Sequence, residues 1–295
     1  MKTPLFTGSC TAVVTPFAES GVDFERLKRN LEVQYENGTA AVLVCGTTGE
    51  AATLSENEHS EVLRTAVQAV GGRMKVIAGV GSNNTRSALR AAENAKAVGA
   101  DGILMVTPYY NKTSRQGLIE HFRYVADRVE LPMILYNVPS RTGIGLTAEC
   151  YAALAEHPNI NGVKEASGDF GLIYRTRALC GDALHLWSGN DDNTVPMMAM
   201  GAKGVISVAS NLVPAAVAKL CALCLEGSFP KAMALAARYQ PLFSALFAET
   251  NPIPVKAAMK LMGTDSGLLR LPLWEISEEH LQQLKNAMRA VGLNV

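Results

Sequence analysis

Eight short, nearly uninterrupted apolar runs recur along this chain of 295 residues, spaced about twenty to thirty-five residues apart. They are GSCTAVVTPF (8–17), AAVLVCG (40–46), MKVIAGVG (74–81) and DGILMVTP (101–108), then LPMILYNV (131–138), INGVKEAS (160–167), LHLWSGN (184–190) and KGVISVAS (203–210). Strands that face water on one side alternate apolar with polar residues. These do not, so they read as strands covered on both faces. The segments between them carry helix signals. Asp23 can cap a helix with Phe24, Leu27, Leu31 and Tyr35 on one face. SENE, from Ser55 to Glu58, is a capping box. Residues 85–98 repeat alanine and leucine at helical spacing, and NGTAA, VGADG and MGAKG place glycine between a helix and the next strand. Eight strand–helix units within about 225 residues predict an α/β fold, a (β/α)8 TIM barrel. An open doubly wound sheet usually has a glycine-rich loop after its first strand, and here that strand runs into TPF. Beyond residue 226 the pattern is helical only, with helices expected at 229–249 and 254–262. A last helix from Ser277 carries Leu281, Leu284, Met288 and Val291 on one stripe. The expected division is therefore a barrel, 1–226, and a C-terminal helical appendage, 227–295.

Bulk properties narrow the function classes. Hydrophobic residues make up 48% and charged residues 18%, as in ordinary globular proteins. The 27 basic and 27 acidic residues cancel, and no basic run exceeds two residues, so no nucleic-acid partner is expected. No stretch has the length of apolar sequence that spans a membrane, and the N-terminal residues do not read as a signal peptide. Most of the six cysteines sit in apolar surroundings. Cys221 and Cys224 form a CxxC within a helical stretch, with no second CxxC or close histidine pair to complete a zinc site. The expectation is a cytoplasmic protein with reduced thiols, no metal and no cofactor.

In such barrels the chemistry lies at the C-terminal ends of the strands. Strand two ends in GTTGE, with Thr47 and Thr48. Strand four ends in TPYYN, with Tyr109 and Tyr110, and strand five in LYNVPSRTG, with Tyr136 and Arg141. Strand six ends in GVKEASG, where Lys164 closes an apolar run. Taken singly, Lys164 is a strand-end lysine that reaches water, and the tyrosines and Arg141 are rim residues. Together they put a lysine, hydroxyls and a guanidinium on one face, without a histidine or a carboxylate pair apart from Glu50 and Glu165 just beyond. That set leaves the lysine as the reactive group. A desolvated amine loses its proton more easily and attacks a carbonyl carbon to form a Schiff base. The iminium then serves as an electron sink. Hydroxyls can relay protons, backbone N–H groups in the Gly-Thr-Thr-Gly turn can hold a carboxylate, and an arginine can hold a second one.

GTTGE, PYYNK, YNVPSRTG, GVKEASG and GVISV, with ETNPIPVKAAM and LRLPL further on, closely resemble the dihydrodipicolinate synthase family of pyruvate-dependent class I aldolases, over about residues 5 to 292. The resemblance implies condensation of pyruvate with L-aspartate 4-semialdehyde to 4-hydroxy-tetrahydrodipicolinate, in the diaminopimelate route to lysine. By position, Lys164 matches the Schiff-base lysine and Thr47, Tyr110 and Tyr136 the proton relay. Thr48 matches a contact to the pyruvate carboxylate, Arg141 the anchor of the semialdehyde carboxylate, and Gly189 and Ile206 the backbone lining of the pyruvate pocket. The resemblance also implies a homotetramer, a dimer of dimers, in which Tyr110 enters a neighbour's site. Sister aldolases that act on N-acetylneuraminate or 2-keto-3-deoxy sugar acids are the nearest alternative; Arg141 together with Thr47 favours the synthase. A non-catalytic barrel would have lost Lys164 or a relay hydroxyl. A phosphate-binding barrel would use glycines after strands seven and eight, as in SGND and GVISVAS, but nothing else supports a phosphate.

Many members of the resembled family bind lysine in a cleft between subunits. His59, Asn83 and Tyr109 match the lysine-sensitive pattern. Ser87 stands where sensitive members usually have a glutamate, and Glu56 where some have a histidine. A desolvated ammonium group needs an anionic partner, which Ser87 does not offer. Weak inhibition by lysine is therefore the expectation, with Glu56 as the one residue placed to compensate.

Overall fold

The computed structural model describes residues 2–295. Eight strands close into a parallel barrel: β1 (Gly8–Ala12), β2 (Ala41–Val44), β3 (Lys75–Gly79), β4 (Gly102–Val106), β5 (Met133–Asn137), β6 (Ile160–Glu165), β7 (His185–Ser188) and β8 (Gly204–Ser207). Each pairs with the next in sequence, and β8 returns to β1 with Gly8 opposite Gly204. All eight apolar runs hold a strand, and each run extends past its strand into the loop that follows. Helices follow the strands: α1 (Phe24–Glu36), α2 (Glu56–Val70), α3 (Thr85–Ala97), α4 (Arg115–Ala126), α5 (Ala148–Ala155), α6 (Phe170–Cys180), α7 (Thr194–Ala199) and α8 (Pro214–Leu225).

The predicted caps form. Asp23 accepts the Arg26 N–H at 2.9 Å, and Ser55 and Glu58 close a reciprocal capping box. One stripe differs from expectation. Tyr35 is 42% exposed, whereas Gln34 is buried in its place. The Gln34 amide earns that position by accepting from Thr11 Oγ1 at 2.6 Å and donating to the Ser210 carbonyl at 2.9 Å, so no polar atom is stranded.

The C-terminal helices are α9 (Phe229–Ala245), α10 (Ile253–Leu261) and α11 (Glu278–Ala290). The first ends four residues earlier than expected, and the chain from Leu246 to Pro252 instead forms a turn facing the barrel rim. Leu284, Met288 and Val291 of the last stripe are buried.

Apolar residues pack in two bodies. A large one fills the space between strands and helices, and a small one fills the barrel interior with Phe6, Cys10, Leu43, Ile77, Leu104, Ile134, Tyr136, Trp187 and Ile206. Tyr136, Lys164 and Trp187 are side by side in register across β5, β6 and β7. Because laterally paired residues point to the same face, all three side chains are directed inward. Trp187 fits because Gly162 has no Cβ; one there would lie 2.5 Å from the indole. Phe6 stacks on Trp187 from the opposite end, with ring centroids 5.0 Å apart, and closes the barrel floor. No described helix is long and apolar enough to cross a membrane.

Candidate active site

Lys164 stands one residue before the end of β6 and is 5% exposed. Its Nζ lies 4.5 Å from the centre of the Tyr136 ring and has no hydrogen-bond or ion-pair partner among the described residues. Two carboxylates are near in the fold, but both are engaged elsewhere. Glu165 accepts from Tyr151 Oη at 2.7 Å, from Asn137 Nδ2 at 3.0 Å and from the Ser167 N–H at 2.8 Å. Asp191 accepts from Ser207 Oγ at 2.5 Å and from the N–H groups of Val208 and Ala209 at 3.1 and 3.0 Å. Burial pushes the Asp191 carboxyl up from its ordinary range, and the same burial, helped by the Glu165 charge, pushes the Tyr151 hydroxyl well up. Both acids brace strand ends and leave the lysine unpaired.

A cavity of about 800 Å³ opens at the C-terminal rim, lined among others by Thr47, Tyr136, Arg141 and Asn251. Tyr136, 7% exposed, lines this space, whereas Lys164, packed on its ring, does not. Arg141 sits on a single helical turn, Pro139–Thr142, and donates from Nη2 to the Asn251 carbonyl at 3.0 Å. Thr48 is buried, and its Oγ1 accepts from Asn251 Nδ2 at 3.0 Å. Gly189 lies beside the end of β6 and donates its N–H to the Glu165 carbonyl at 2.8 Å. A Cβ there would come 2.6 Å from that of Ala166. Ile206 is fully buried in β8 opposite Cys10.

Lys164, Thr48, Gly189 and Ile206 are buried in the barrel without lining the cavity, and Tyr110 and Asn83 lie outside it altogether. Tyr110 is 92% exposed on a left-handed backbone, φ 70°, and points out of its own barrel. Asn83 does not line the cavity; its carbonyl accepts from Asn111 Nδ2 at 3.0 Å. Glu56, His59, Ser87 and Tyr109 do line an arm of the cavity. There His59 Nε2 meets the Gly79 carbonyl at 2.8 Å, and burial lowers the ring's affinity for a proton. Glu56 is answered by Arg90, 3.6 Å away, and Arg90 also donates to Ser87 Oγ at 3.1 Å.

Sequence reasoning missed Asn251, Asp191 as a brace, and a second buried lysine, Lys256. Lys256 donates to Glu50 Oε1 at 2.6 Å with both side chains inaccessible to solvent. Its cue was a charge inside the apolar stretch NPIPVKAAM, the same cue that singled out Lys164.

As a whole the site offers an unpaired amine against a tyrosine ring, with Thr47, Tyr136 and Arg141 on the adjoining cavity. That set suits attack on a carbonyl, with proton relay and carboxylate anchoring. Comparison with known proteins agrees with this chemistry. The family model described as the dihydrodipicolinate synthetase family matches residues 5–291. A 4-hydroxy-tetrahydrodipicolinate synthase of Thermoanaerobacter sp. strain X514 is 46% identical over 291 residues, covering 98% of each chain. The solved dihydrodipicolinate synthase of Aquifex aeolicus superposes with a TM-score of 0.96 at 45% identity, covering 98% of this chain and 99% of that one. The DHDPS of Cyanidioschyzon merolae, solved with lysine bound, gives a TM-score of 0.96 at 42% identity over 99% of this chain and 100% of that one. By its full-length match and its fold, the chain belongs to the dihydrodipicolinate synthetase family.

Proposed function

We propose that this chain is a lyase of the Schiff-base class that condenses pyruvate with L-aspartate 4-semialdehyde to give 4-hydroxy-tetrahydrodipicolinate, on the diaminopimelate route to lysine. The observation that carries the reading is Lys164, buried against Tyr136 without a hydrogen-bond or ion-pair partner among the described residues. Its amine attacks C2 of pyruvate, water leaves, and an iminium forms. Loss of a C3 proton gives an enamine, whose C3 attacks the aldehyde carbon of the semialdehyde. The new alkoxide takes a proton through hydroxyls, for which Tyr136, Thr47 and Tyr110 are the candidates. The amino group of the semialdehyde then attacks the imine carbon, closes the ring and frees Lys164. Thr48 and the backbones of Gly189 and Ile206 serve the pyruvate end, and Arg141 the semialdehyde carboxylate.

Exposed Tyr110 supports an assembly in which it completes a neighbour's site, and the reading takes that assembly as a cytoplasmic homotetramer. The barrel, 1–226, and the helical region, 227–295, are read as two parts of one catalytic unit. The test is substrate choice. Purified protein should consume pyruvate only when the semialdehyde is present, and should release negligible pyruvate from N-acetylneuraminate or 2-keto-3-deoxygluconate. Release from either at a comparable kcat/KM would assign the site to a sister reaction.

A further inference from the structure

The turn that presents Thr47 and Thr48 ends at Glu50, whose backbone is left-handed, φ 53° and ψ 36°. Residues with a Cβ rarely adopt that conformation, so the surroundings must hold it. The hold comes from the far end of the chain. Glu50 Oε1 accepts from Lys256 Nζ at 2.6 Å, and Oε2 accepts from the backbone N–H of Arg270 at 3.1 Å. Lys256 Nζ also donates to the Thr15 carbonyl at 3.0 Å, and Thr15 Oγ1 donates to the Gly49 carbonyl at 2.7 Å. Two residues of the turn are thus ringed by bonds that pass through one buried ion pair. Stability alone does not require an ion pair here, since well-packed apolar side chains of similar volume often serve as well. What the pair adds is direction: a carboxylate with four lone-pair sites, met by donors from two C-terminal segments, permits one orientation of the turn.

We infer that Glu50 and Lys256 are positioning residues for the reaction, through which the C-terminal helical region fixes Thr47 and Thr48 at the rim and so sets the binding of pyruvate. The inference rests on the roles proposed above for those threonines. It is tested with Lys256→Met, Glu50→Gln, the double variant and Glu50→Asp, each measured for melting temperature, kcat and KM for pyruvate. Both single variants should melt lower and raise the pyruvate KM about tenfold or more, because a misplacement of an ångström is costly in such sites. The double variant leaves no lone buried charge. It should recover most of the melting temperature and none of the KM. Glu50→Asp keeps the charge, shortens the reach by one methylene, and should raise KM with the smallest thermal loss. A KM that returns with the melting temperature in the double variant, or that stays unchanged in a folded single variant, would overturn the inference. If the single variants fail to fold, the double variant and Glu50→Asp decide it by the same criteria. Wild-type protein is first labelled with pyruvate and borohydride; absence of label on Lys164 would overturn the assigned reaction itself, and this inference with it.

Discussion

Lys164 and Lys256 are both nearly removed from solvent, 5% and 0% exposed, yet their surroundings are opposite. Lys256 has Glu50 at 2.6 Å, the Thr15 carbonyl at 3.0 Å and the face of Phe17 at 4.2 Å. Burial lowers its proton affinity, and the Glu50 charge works against that. Lys164 has the Tyr136 ring at 4.5 Å and no acceptor, while the acids near it are consumed by Tyr151, Asn137, Ser207 and backbone N–H groups. Burial by itself therefore does not mark a reactive lysine. What separates the two is whether the protein supplies a hydrogen-bonded counter-charge: a paired amine is a strut, and an unpaired one is available as a nucleophile.

The largest expected effect breaks the comparison on the reactive side. Lys164→Arg should lower kcat by about a thousandfold or more, because a guanidinium stays protonated and cannot attack a carbonyl. A residual rate within tenfold of wild type, measured in a steady-state condensation assay, would deny Lys164 its role. The mirror experiment concerns stability. Lys256→Met strands the Glu50 carboxylate, and breaking one side of a buried pair costs about 3–5 kcal/mol. Lys164→Met breaks no hydrogen bond or close ion pair and takes from Asp191 only a more distant charge, so its thermal loss should be much the smaller. Equal thermal losses in a denaturation series would erase the distinction.

A smaller effect tests the mouth of the cavity. Arg141→Ala should raise the KM for the semialdehyde far more than for pyruvate, by a factor worth about 1.5–3 kcal/mol for a charge-assisted contact. Equal changes for both substrates would remove Arg141 as the semialdehyde anchor. Subunit exchange sharpens the same geometry. Mixing inactive Tyr110→Phe subunits with inactive Lys164→Ala subunits should restore part of the activity, since some hybrid sites then hold both side chains. No recovery in verified hybrids would place Tyr110 within its own barrel. The smallest expected effect is that of lysine. With Ser87 lacking charge and Glu56 answered by Arg90, half-inhibition should require about a millimolar lysine or more, a weak affinity. Strong inhibition at far lower concentration, abolished in Glu56→Ala, would show that Glu56 supplies the anionic partner after all.

The barrel was legible because strands covered on both faces leave an unmistakable trace: an apolar run with no alternation, bounded by caps and glycines. Lys164 was legible for the same reason, as a charge inside such a run. Lys256 carries an equivalent signal in NPIPVKAAM, but its meaning depends on Glu50, 206 residues away. Pairing over that distance leaves no local pattern. The burial of Gln34 in place of Tyr35 was hidden likewise, since it depends on Thr11 and Ser210 from two other elements. The role proposed for Tyr110 rests on resemblance alone, whereas Arg141 at a strand end also suggests a carboxylate anchor by its chemistry. Nothing in the spacing of PYYN indicates that Tyr110 would be 92% exposed in its own chain.

The central claim is that the unpaired lysine, and not the paired one, is the nucleophile. Incubation with pyruvate, reduction with borohydride and mass mapping of the peptides tests it most directly. A single reduced pyruvate adduct should appear on the peptide that contains Lys164, and none on the peptide that contains Lys256. Label on Lys256, or on no lysine at all, would contradict the account.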